Sequence, residues 1–241
     1  PVGLCRLPAE TNEDTAKALG TVHPWRGKYD PERLQAFVHR PTGAVPTLRR
    51  TDDGGTRVTW PVSGGGQLAW DLHVLPDGGD LEIRATAASR RPGVYAVGAG
   101  LMNFRRDLNW ILPVLEGYSI VPADEPVDTG TRGARWPFPW VASLVVAESR
   151  RGAVALWMTD PQLRDRYLHW RNAERAFDLA FESVNHAPFD RATEARSRTI
   201  RLNVYKGNWV SAARAFRDHW EKTFDVRPIE QRSPAWLKGI R

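Results

Sequence analysis

The chain has 241 residues, of which 41% are hydrophobic and 26% are charged, and these proportions are ordinary for a globular protein. No segment approaches the roughly 18 consecutive apolar residues that a membrane helix requires, which excludes a membrane-spanning role. A net charge of +6 would suit a polyanionic partner, but the arginines are dispersed among acidic residues, so a nucleic-acid-binding module is the least favoured function.

The first residue is Pro1, and the opening segment has neither the basic start nor the apolar centre of a signal peptide. We therefore expect that an upstream segment has been removed. The compartment stays open. Cys5 is the only cysteine, which excludes an internal disulfide and a cysteine-based zinc cluster. No two of the six histidines have the i, i+4 spacing of a helical metal site, so no metal or other cofactor is expected.

Residues 56–88 predict a meander of three antiparallel strands. Segments 56–62 and 67–75 flank a glycine-rich turn, and in the second segment apolar residues such as Leu68 and Trp70 alternate with polar ones such as Asp71. After the turn at 76–80, residues 81–88 alternate again.

Further apolar segments separated by Gly, Pro, Asp and Asn follow as far as residue 206. They are residues 93–101, 111–115, 140–148, 153–160, 164–171, 176–184 and 197–206. About ten strands with no helices between them predict an all-β fold, a large antiparallel β-sandwich or supersandwich over residues 1–206.

The end of the chain changes character. Asn208 can cap a helix from Trp209 to about Lys222, in which apolar residues recur every three or four positions. This stripe consists of Trp209, Ala212, Ala213, Phe216 and Trp220. The following residues contain two prolines and no periodicity, so residues 207–241 are predicted to be a linker helix and an extended segment leading to a further domain.

This end of the chain resembles a junction found in several glycoside hydrolase families, where a galactose-mutarotase-like β-supersandwich passes through a helix into a TIM-type barrel. The matching residues are Gly207, Asn208, Trp209, Phe216, Arg217, Trp220, Pro234, Trp236 and Leu237. A weaker resemblance extends to segments 112–120, 135–140 and 153–160.

The resemblance implies that the partners are the chain's own downstream catalytic barrel and an oligo- or polysaccharide. The catalytic Asp and Glu residues of these families lie on barrel strands, which would follow Arg241, so no catalytic residue is assigned within this chain. Contact with the barrel is expected at Trp209, Phe216, Arg217, Trp220 and Trp236. Because the stripe has helical spacing, packing of Trp209, Phe216 and Trp220 onto the sandwich is the main alternative.

The segment 132–140 is the best candidate for sugar contact, because Trp136, Phe138 and Trp140 surround two prolines that stiffen it. Aromatic rings bury the apolar face of a sugar well, and a rigid loop loses little entropy on binding. The chain also contains 11 tryptophans, several times the roughly two to four expected from average composition. Alternatively, these rings plug one end of the sandwich or face the barrel.

A second hypothesis is a complete mutarotase-like or lyase-like sugar enzyme. His73 and His169 lie in predicted strands beside aromatic residues, where an imidazole could transfer protons with a carboxylate or tyrosine partner. A histidine hydrogen-bonded on a sheet face is the structural alternative. The acidic residues in or near predicted loops are interpreted as caps, turn residues or charge partners; they are Glu116, Asp124, Glu125, Asp128, Asp160 and Asp165.

Overall fold

The computed structural model describes residues 2–6, 38–39, 45–62, 66–76, 80–90, 92, 94–185 and 191–225. Strands predominate, and one α-helix of 16 residues, α1 (Trp209–Phe224), follows the last described strand. The strands are β1 (Val2–Arg6), β2 (Val38–His39), β3 (Thr47–Arg50), β4 (Thr56–Val62), β5 (Gly66–Val74), β6 (Leu81–Ser89), β7 (Val94–Phe104), β8 (Asn109–Leu112), β9 (Tyr118–Ile120), β10 (Arg132–Trp136), β11 (Leu144–Ser149), β12 (Gly152–Thr159), β13 (Arg166–Asn172), β14 (Phe177–Val184), β15 (Glu194–Arg196) and β16 (Thr199–Tyr205).

Two antiparallel sheets confirm the predicted all-β sandwich. The small sheet has the order β10-β13-β14-β7-β1-β2. The large sheet has the order β3-β4-β5-β6-β16-β12-β11-β8-β9, and β15 pairs with β6. The meander predicted over residues 56–88 is present, since Trp70 on β5 pairs with Val58 on β4 and with Ala85 on β6.

The core lies between the inner faces of the two sheets, where alternate residues of each strand meet. Leu68 of β5 and Leu156 of β12 contribute from the large sheet, and Phe181 of β14 from the small sheet. Trp110 of β8 is fully buried, with its ring centroid 4.8 Å from that of Phe177. Large aromatic side chains thus fill the centre of the sandwich.

Strands β11 and β12 are buried on both faces, because α1 covers the outer face of the large sheet at this point. Val145 and Leu156 point into the sandwich core, whereas Leu144, Ala155 and Trp157 belong to a second apolar cluster with Ala212 of the helix. Burial on both faces explains why these strands are continuous apolar runs in the sequence.

Helix α1 begins and ends as its sequence predicts. The Asn208 side chain accepts a hydrogen bond from the Val210 backbone N–H at 3.2 Å, which satisfies one of the free donors of the first turn. The helix ends at Phe224, two residues beyond the predicted end, and Asp225 follows in the left-handed conformation with φ 48°.

We expect Asn208→Ala to lower the free energy of unfolding by about 1 kcal/mol, because the substitution removes this capping acceptor. For a domain of this size the melting temperature should fall by about 2–4 °C, measured by circular dichroism. Arg214→Ala, on the exposed side of the same helix, is the control. Equal melting temperatures for the two variants would contradict a role for the cap.

The structure corrects two interpretations of the sequence between residues 111 and 140. Residues 132–136, interpreted as part of a loop, form β10 and pair with β13. The predicted strand 111–115 ends at Leu112, and Val114 makes only an isolated bridge to Trp140. Pro113 accounts for the early end, because proline cannot donate to the ladder. The extended segment 226–241, with Trp236, lies outside the described residues.

In the part of the chain that the structure describes, no helix is long and apolar enough to cross a membrane.

Candidate functional site

The three aromatic residues of the 132–140 segment lie in different environments. Trp140 is fully buried, its ring centroid lies 6.0 Å from that of Phe181, and its Nε1 donates to the Leu144 carbonyl at 3.4 Å. Trp136 is 9% exposed. Phe138, between them, is 61% exposed. The structure thus places Trp136 and Trp140 in the sandwich core. Sugar contact by this segment stays a prediction, and Phe138 is the accessible ring among the three.

Phe138 has other exposed apolar residues near it. The backbone of Pro113 and Leu115 runs beside this loop, since the Leu115 N–H donates to the Pro139 carbonyl and the Val141 N–H to the Pro113 carbonyl. Leu115 is 48% exposed and Val141 is 51% exposed. These side chains give the loop an accessible apolar surface beside Phe138.

The residues expected to contact a barrel divide into two groups. Phe216 and Trp220 pack on the chain's own sandwich, with ring centroids 5.9 Å from Trp157 and 6.3 Å from Trp136, respectively. Trp209 is 45% exposed and Arg217 is also exposed. Contact with another domain therefore stays a prediction, with Trp209 and Arg217 the most accessible of the described candidates.

A cavity of about 370 Å³ lies between α1 and the outer face of the large sheet. We call it the helix pocket. Its lining comes from strands β12 and β16, the turn before β6 and the helix. The lining residues are Asp80, Trp157, Arg201, Asn203, Tyr205, Lys206, Ser211, Ala212, Ala215 and His219. Arg201, Asn203 and Tyr205 alternate along β16, so their side chains share the face that the helix covers.

An ion pair fixes one side of the helix pocket. Arg201 Nε lies 2.5 Å from Asp80 Oδ2, and Asn203 Nδ2 donates to Asp80 Oδ1. Both oxygens of this carboxylate therefore already accept hydrogen bonds. The Arg201 guanidinium lies 5.6 Å from the Trp157 ring centroid, within the range of a cation–π contact.

The other side of the helix pocket carries two titratable rings. His219 stacks on Trp157 with an interplanar angle of 15° and 6.5 Å between centroids. Burial lowers the pKa of His219, and the positive charge of Arg201 lowers it further, so the imidazole is neutral near pH 7. Burial and the nearby Glu148 carboxylate raise the pKa of Tyr205 to about 12, which keeps the phenol protonated.

The outer face of the small sheet carries a second polar group. His169 Nε2 lies 3.4 Å from Glu182 Oε2 on the neighbouring strand, and the imidazole stacks on Tyr167 with 6.2 Å between centroids. In the strand register His169 lies between Gly133 and Ala180, whose small side chains leave space beside the imidazole. A histidine and a carboxylate at this separation could exchange a proton.

The other candidate histidine, His73, lies on the outer face of the large sheet. It pairs in register with Glu82 of β6. Its Nδ1 is buried, and none of the described residues provides that atom with a hydrogen-bond partner. His169 Nε2 likewise has no hydrogen bond to any described residue, so what distinguishes His169 is the 3.4 Å separation of that atom from Glu182 Oε2.

A buried charge cluster joins the two sheets at the end of β12. Asp160 has no exposed side-chain surface and lies 2.8 Å from Arg164, 3.9 Å from Arg166 and 3.1 Å from Arg198. Burial raises the pKa of Asp160, but hydrogen bonds from Arg164 and the charge of Arg198 lower it by more, so the net shift is downward. Arg166 also lies 3.8 Å above the Trp136 ring centroid.

Burial shifts the pKa values of the arginines in this cluster downward, opposite to its effect on the carboxylate. It lowers the pKa of both Arg166 and Arg198 to about 10, because a charged guanidinium is less stable away from water. The cluster therefore holds more positive than negative charge inside the fold.

Across the described ranges, no three His, Cys, Asp or Glu side chains form a group that could hold a metal ion.

No known family model matches the chain, and no curated protein matches its sequence. Among solved structures, the chain is similar to α-N-acetylgalactosaminidase NagBb from Bifidobacterium bifidum in complex with GalNAc, with 11% identity and a TM-score of 0.61 over 81% of this chain and 34% of that chain. The chain thus spans about a third of the length of this glycosidase. At this identity, the likeness shows a shared fold.

Two more distant likenesses have TM-scores below 0.5. The GH36 α-galactosidase AgaA from Geobacillus stearothermophilus is 7% identical, with a TM-score of 0.44 over 70% of this chain and 27% of that chain. A protein described as a candidate aldose 1-epimerase from Escherichia coli K12 is 10% identical, with a TM-score of 0.40 over 66% of this chain and 67% of that chain.

Most residues of the helix pocket were not predicted from the sequence as functional. Asp80 had been interpreted as part of a turn, and Arg201 and Asn203 as part of a strand with no assigned role. The sequence signal that could have indicated this pocket is the alternation of polar residues along β16. The neighbouring strand β12 is apolar on the same face, where it presents Trp157 and Ala155. A polar strip beside an apolar strip under one helix indicates a partly wet interface.

Proposed function

We propose that this chain is an accessory β-sandwich of a glycoside hydrolase, which contacts carbohydrate without hydrolysing it and packs against a catalytic domain. The observation that carries the proposal is the likeness of most of this chain to about a third of an α-N-acetylgalactosaminidase. A fold alone does not determine an activity, so the proposal also depends on the chemistry of the described residues.

Eight aspartates among the described residues support a non-catalytic role. Glycoside hydrolysis normally needs one carboxyl group kept protonated by a raised pKa and a second one that is ionised. Hydrogen bonds from Thr51, Arg105 and Arg164 instead help to lower the pKa of Asp53, Asp107 and Asp160, respectively. Other carboxylates lie in ion pairs with arginine; they are Asp71, Asp80, Asp128, Asp165 and Asp178.

The accessible surfaces suit the two proposed contacts. Phe138 offers an exposed aromatic ring on a loop anchored by the buried Trp136 and Trp140, which is a preorganised platform for a sugar. Trp209 offers a half-exposed indole at the start of α1 and is one of the residues at which the resemblance implies contact with the barrel. Aromatic side chains of this kind are common at the centres of interfaces.

We expect the purified chain to bind N-acetylgalactosamine weakly, through Phe138, and to turn over no sugar. Binding is measured by saturation-transfer NMR, and turnover by release of nitrophenol from a nitrophenyl α-N-acetylgalactosaminide. Phe138→Ala should abolish the transfer signal. Leu48→Ala, a 70% exposed apolar residue on the edge strand β3, should leave it unchanged. Hydrolysis by the wild-type chain, or an unaltered signal in Phe138→Ala, would overturn the proposal.

A mutarotase-like enzyme is the second candidate, and the contact between His169 and Glu182 is the observation that favours it. Ring opening of an aldose needs a base for the anomeric hydroxyl and an acid for the ring oxygen, roles that this pair could divide. Polarimetry of freshly dissolved α-galactose decides between the two candidates. A rate enhancement that His169→Gln removes would favour the epimerase and reject a non-catalytic domain.

A further inference from the structure

The helix pocket contains several hydrogen-bond donors that the protein itself does not use. Arg201 directs Nε to Asp80, and its two terminal nitrogens have no hydrogen bond to any described residue. The Trp157 indole is 4% exposed, and its Nε1 has no acceptor among the described residues. The buried Trp157 indole N–H is costly without an acceptor, and the partly exposed Arg201 guanidinium has terminal donors available, so a ligand that supplies acceptor oxygens would be stabilised here.

The charge of the helix pocket also indicates a ligand that carries acceptor oxygens. Among the described lining residues, Arg201 and Lys206 are cations and Asp80 is the one carboxylate. Asp80 is already neutralised by Arg201 and bonded to Asn203, whereas Lys206 has no ion-pair partner among the described residues. The remaining charge is positive, which favours an anion over a neutral ligand.

The charges that act on His219 are also consistent with a positively charged pocket. Arg201 from β16 and Lys222 from α1 both lower its pKa, and Glu82 from β6 opposes them with a smaller effect than that of Arg201. Thr223 Oγ1 lies 3.5 Å from His219 Nε2, so the neutral imidazole has Nδ1 left to contact a ligand hydroxyl group. Ser211 adds a second hydroxyl partner from the first turn of the helix.

We propose that the helix pocket binds a sugar acid, a hexuronate whose carboxylate contacts Arg201 and Lys206 and whose hydroxyls contact Ser211 and His219. The cavity of about 370 Å³ is within the range of small-molecule sites. Arginine binds carboxylates well because its terminal nitrogens can donate two parallel hydrogen bonds. This site is separate from the Phe138 loop and does not depend on the chain belonging to a glycoside hydrolase.

The test is titration calorimetry of the 241-residue chain with galacturonate, galactose and galactose 1-phosphate at low ionic strength. We expect galacturonate to bind at least about tenfold more tightly than galactose, since the neutral sugar lacks the charge-assisted hydrogen bonds. Equal affinities for these two ligands would overturn the proposal. Tighter binding of the phosphate ester than of galacturonate would overturn the assignment to a sugar acid.

Matched variants locate the binding site. Lys206→Gln should weaken galacturonate binding about fivefold, the effect of one exposed charge. Arg214→Gln removes the same charge from the helix outside the pocket lining and should leave the affinity unchanged. Ala215→Trp, at an exposed position in the lining, should abolish binding while the circular dichroism spectrum stays native. Equal losses in Lys206→Gln and Arg214→Gln, or undiminished binding in Ala215→Trp, would contradict the site.

Discussion

Asp160→Asn is expected to lower the free energy of unfolding by about 3–5 kcal/mol, because it neutralises the buried carboxylate that contacts Arg166 and Arg198. Arg166 has no exposed side-chain surface and Arg198 is 5% exposed, and both lie within 4 Å of Asp160. Neither guanidinium can reach water when the carboxylate is neutralised. Urea unfolding followed by tryptophan fluorescence measures the loss.

The cluster explains why the expected effect is so large. Arg166 Nε has no hydrogen bond to any described residue, and Arg198 Nε lies 3.1 Å from Asp160 Oδ2 without hydrogen-bond geometry, so the stabilisation of both guanidinium groups depends on the charge of Asp160 and on contacts of their other nitrogens. Arg166 donates to Ser143 of the segment before β11, and the Arg198 backbone N–H donates to Ser183 of β14. Loss of the charge at the centre therefore weakens contacts between both sheets.

Asp165→Asn is the matched control for this prediction. Asp165 lies 2.7 Å from Arg135, but the two side chains are 40% and 47% exposed. Water and salt screen such a pair, so the substitution should cost no more than about 1 kcal/mol. Similar losses for the two variants would show that burial does not decide the strength of the Asp160 contacts.

The pH dependence of the wild-type chain follows from the downward shift at Asp160. A carboxyl with a lower pKa in the folded state contributes stability that is fully present above its unfolded value of 3.8 and is lost as the pH falls through the folded value. The difference in stability between wild type and Asp160→Asn should therefore shrink only below pH 3.8.

Local patterns predicted the helix and several of the described strands, because alternation and capping depend on residues close in sequence. Asn208 and the three- and four-residue spacing located α1, and the glycine-rich turn located the β4–β5 hairpin. The sequence predicts Asp160 as a cap, turn residue or charge partner. Its ion pairs confirm a charge partner, and the backbone N–H groups of Gln162 and Arg164, which donate to its carboxylate, confirm a turn residue.

The candidate sites could not be predicted in the same way, because they depend on contacts between distant segments. Asp80 and Arg201, which form the ion pair of the helix pocket, are 121 residues apart in the chain. No local pattern brings the turn before β6 to the same place as β16 and α1. Only the sheet order, in which β16 lies between β6 and β12, makes that pocket possible.

The aromatic segment shows a related ambiguity, since core and surface rings have the same local sequence. Trp136 and Trp140 are buried and Phe138 is exposed, although the three residues occupy every second position of one short segment. Two prolines interrupt the ladder after β10, so strand alternation does not continue through the loop. The burial of Trp140 results from Phe181 on β14 and from its bridge to Val114.

Trp140→Ala is expected to lower the free energy of unfolding by about 3–5 kcal/mol, because it leaves a cavity beside Phe181 and removes the indole hydrogen bond to Leu144. Phe138→Ala, two residues away, should cost less than about 1 kcal/mol, since most of that ring already contacts water. Urea unfolding measures both variants. Comparable losses would mean that Phe138 supports the core. A large loss in Trp140→Ala alone would assign the two rings different roles and would allow a binding defect in Phe138→Ala to be attributed to the lost sugar contact rather than to unfolding.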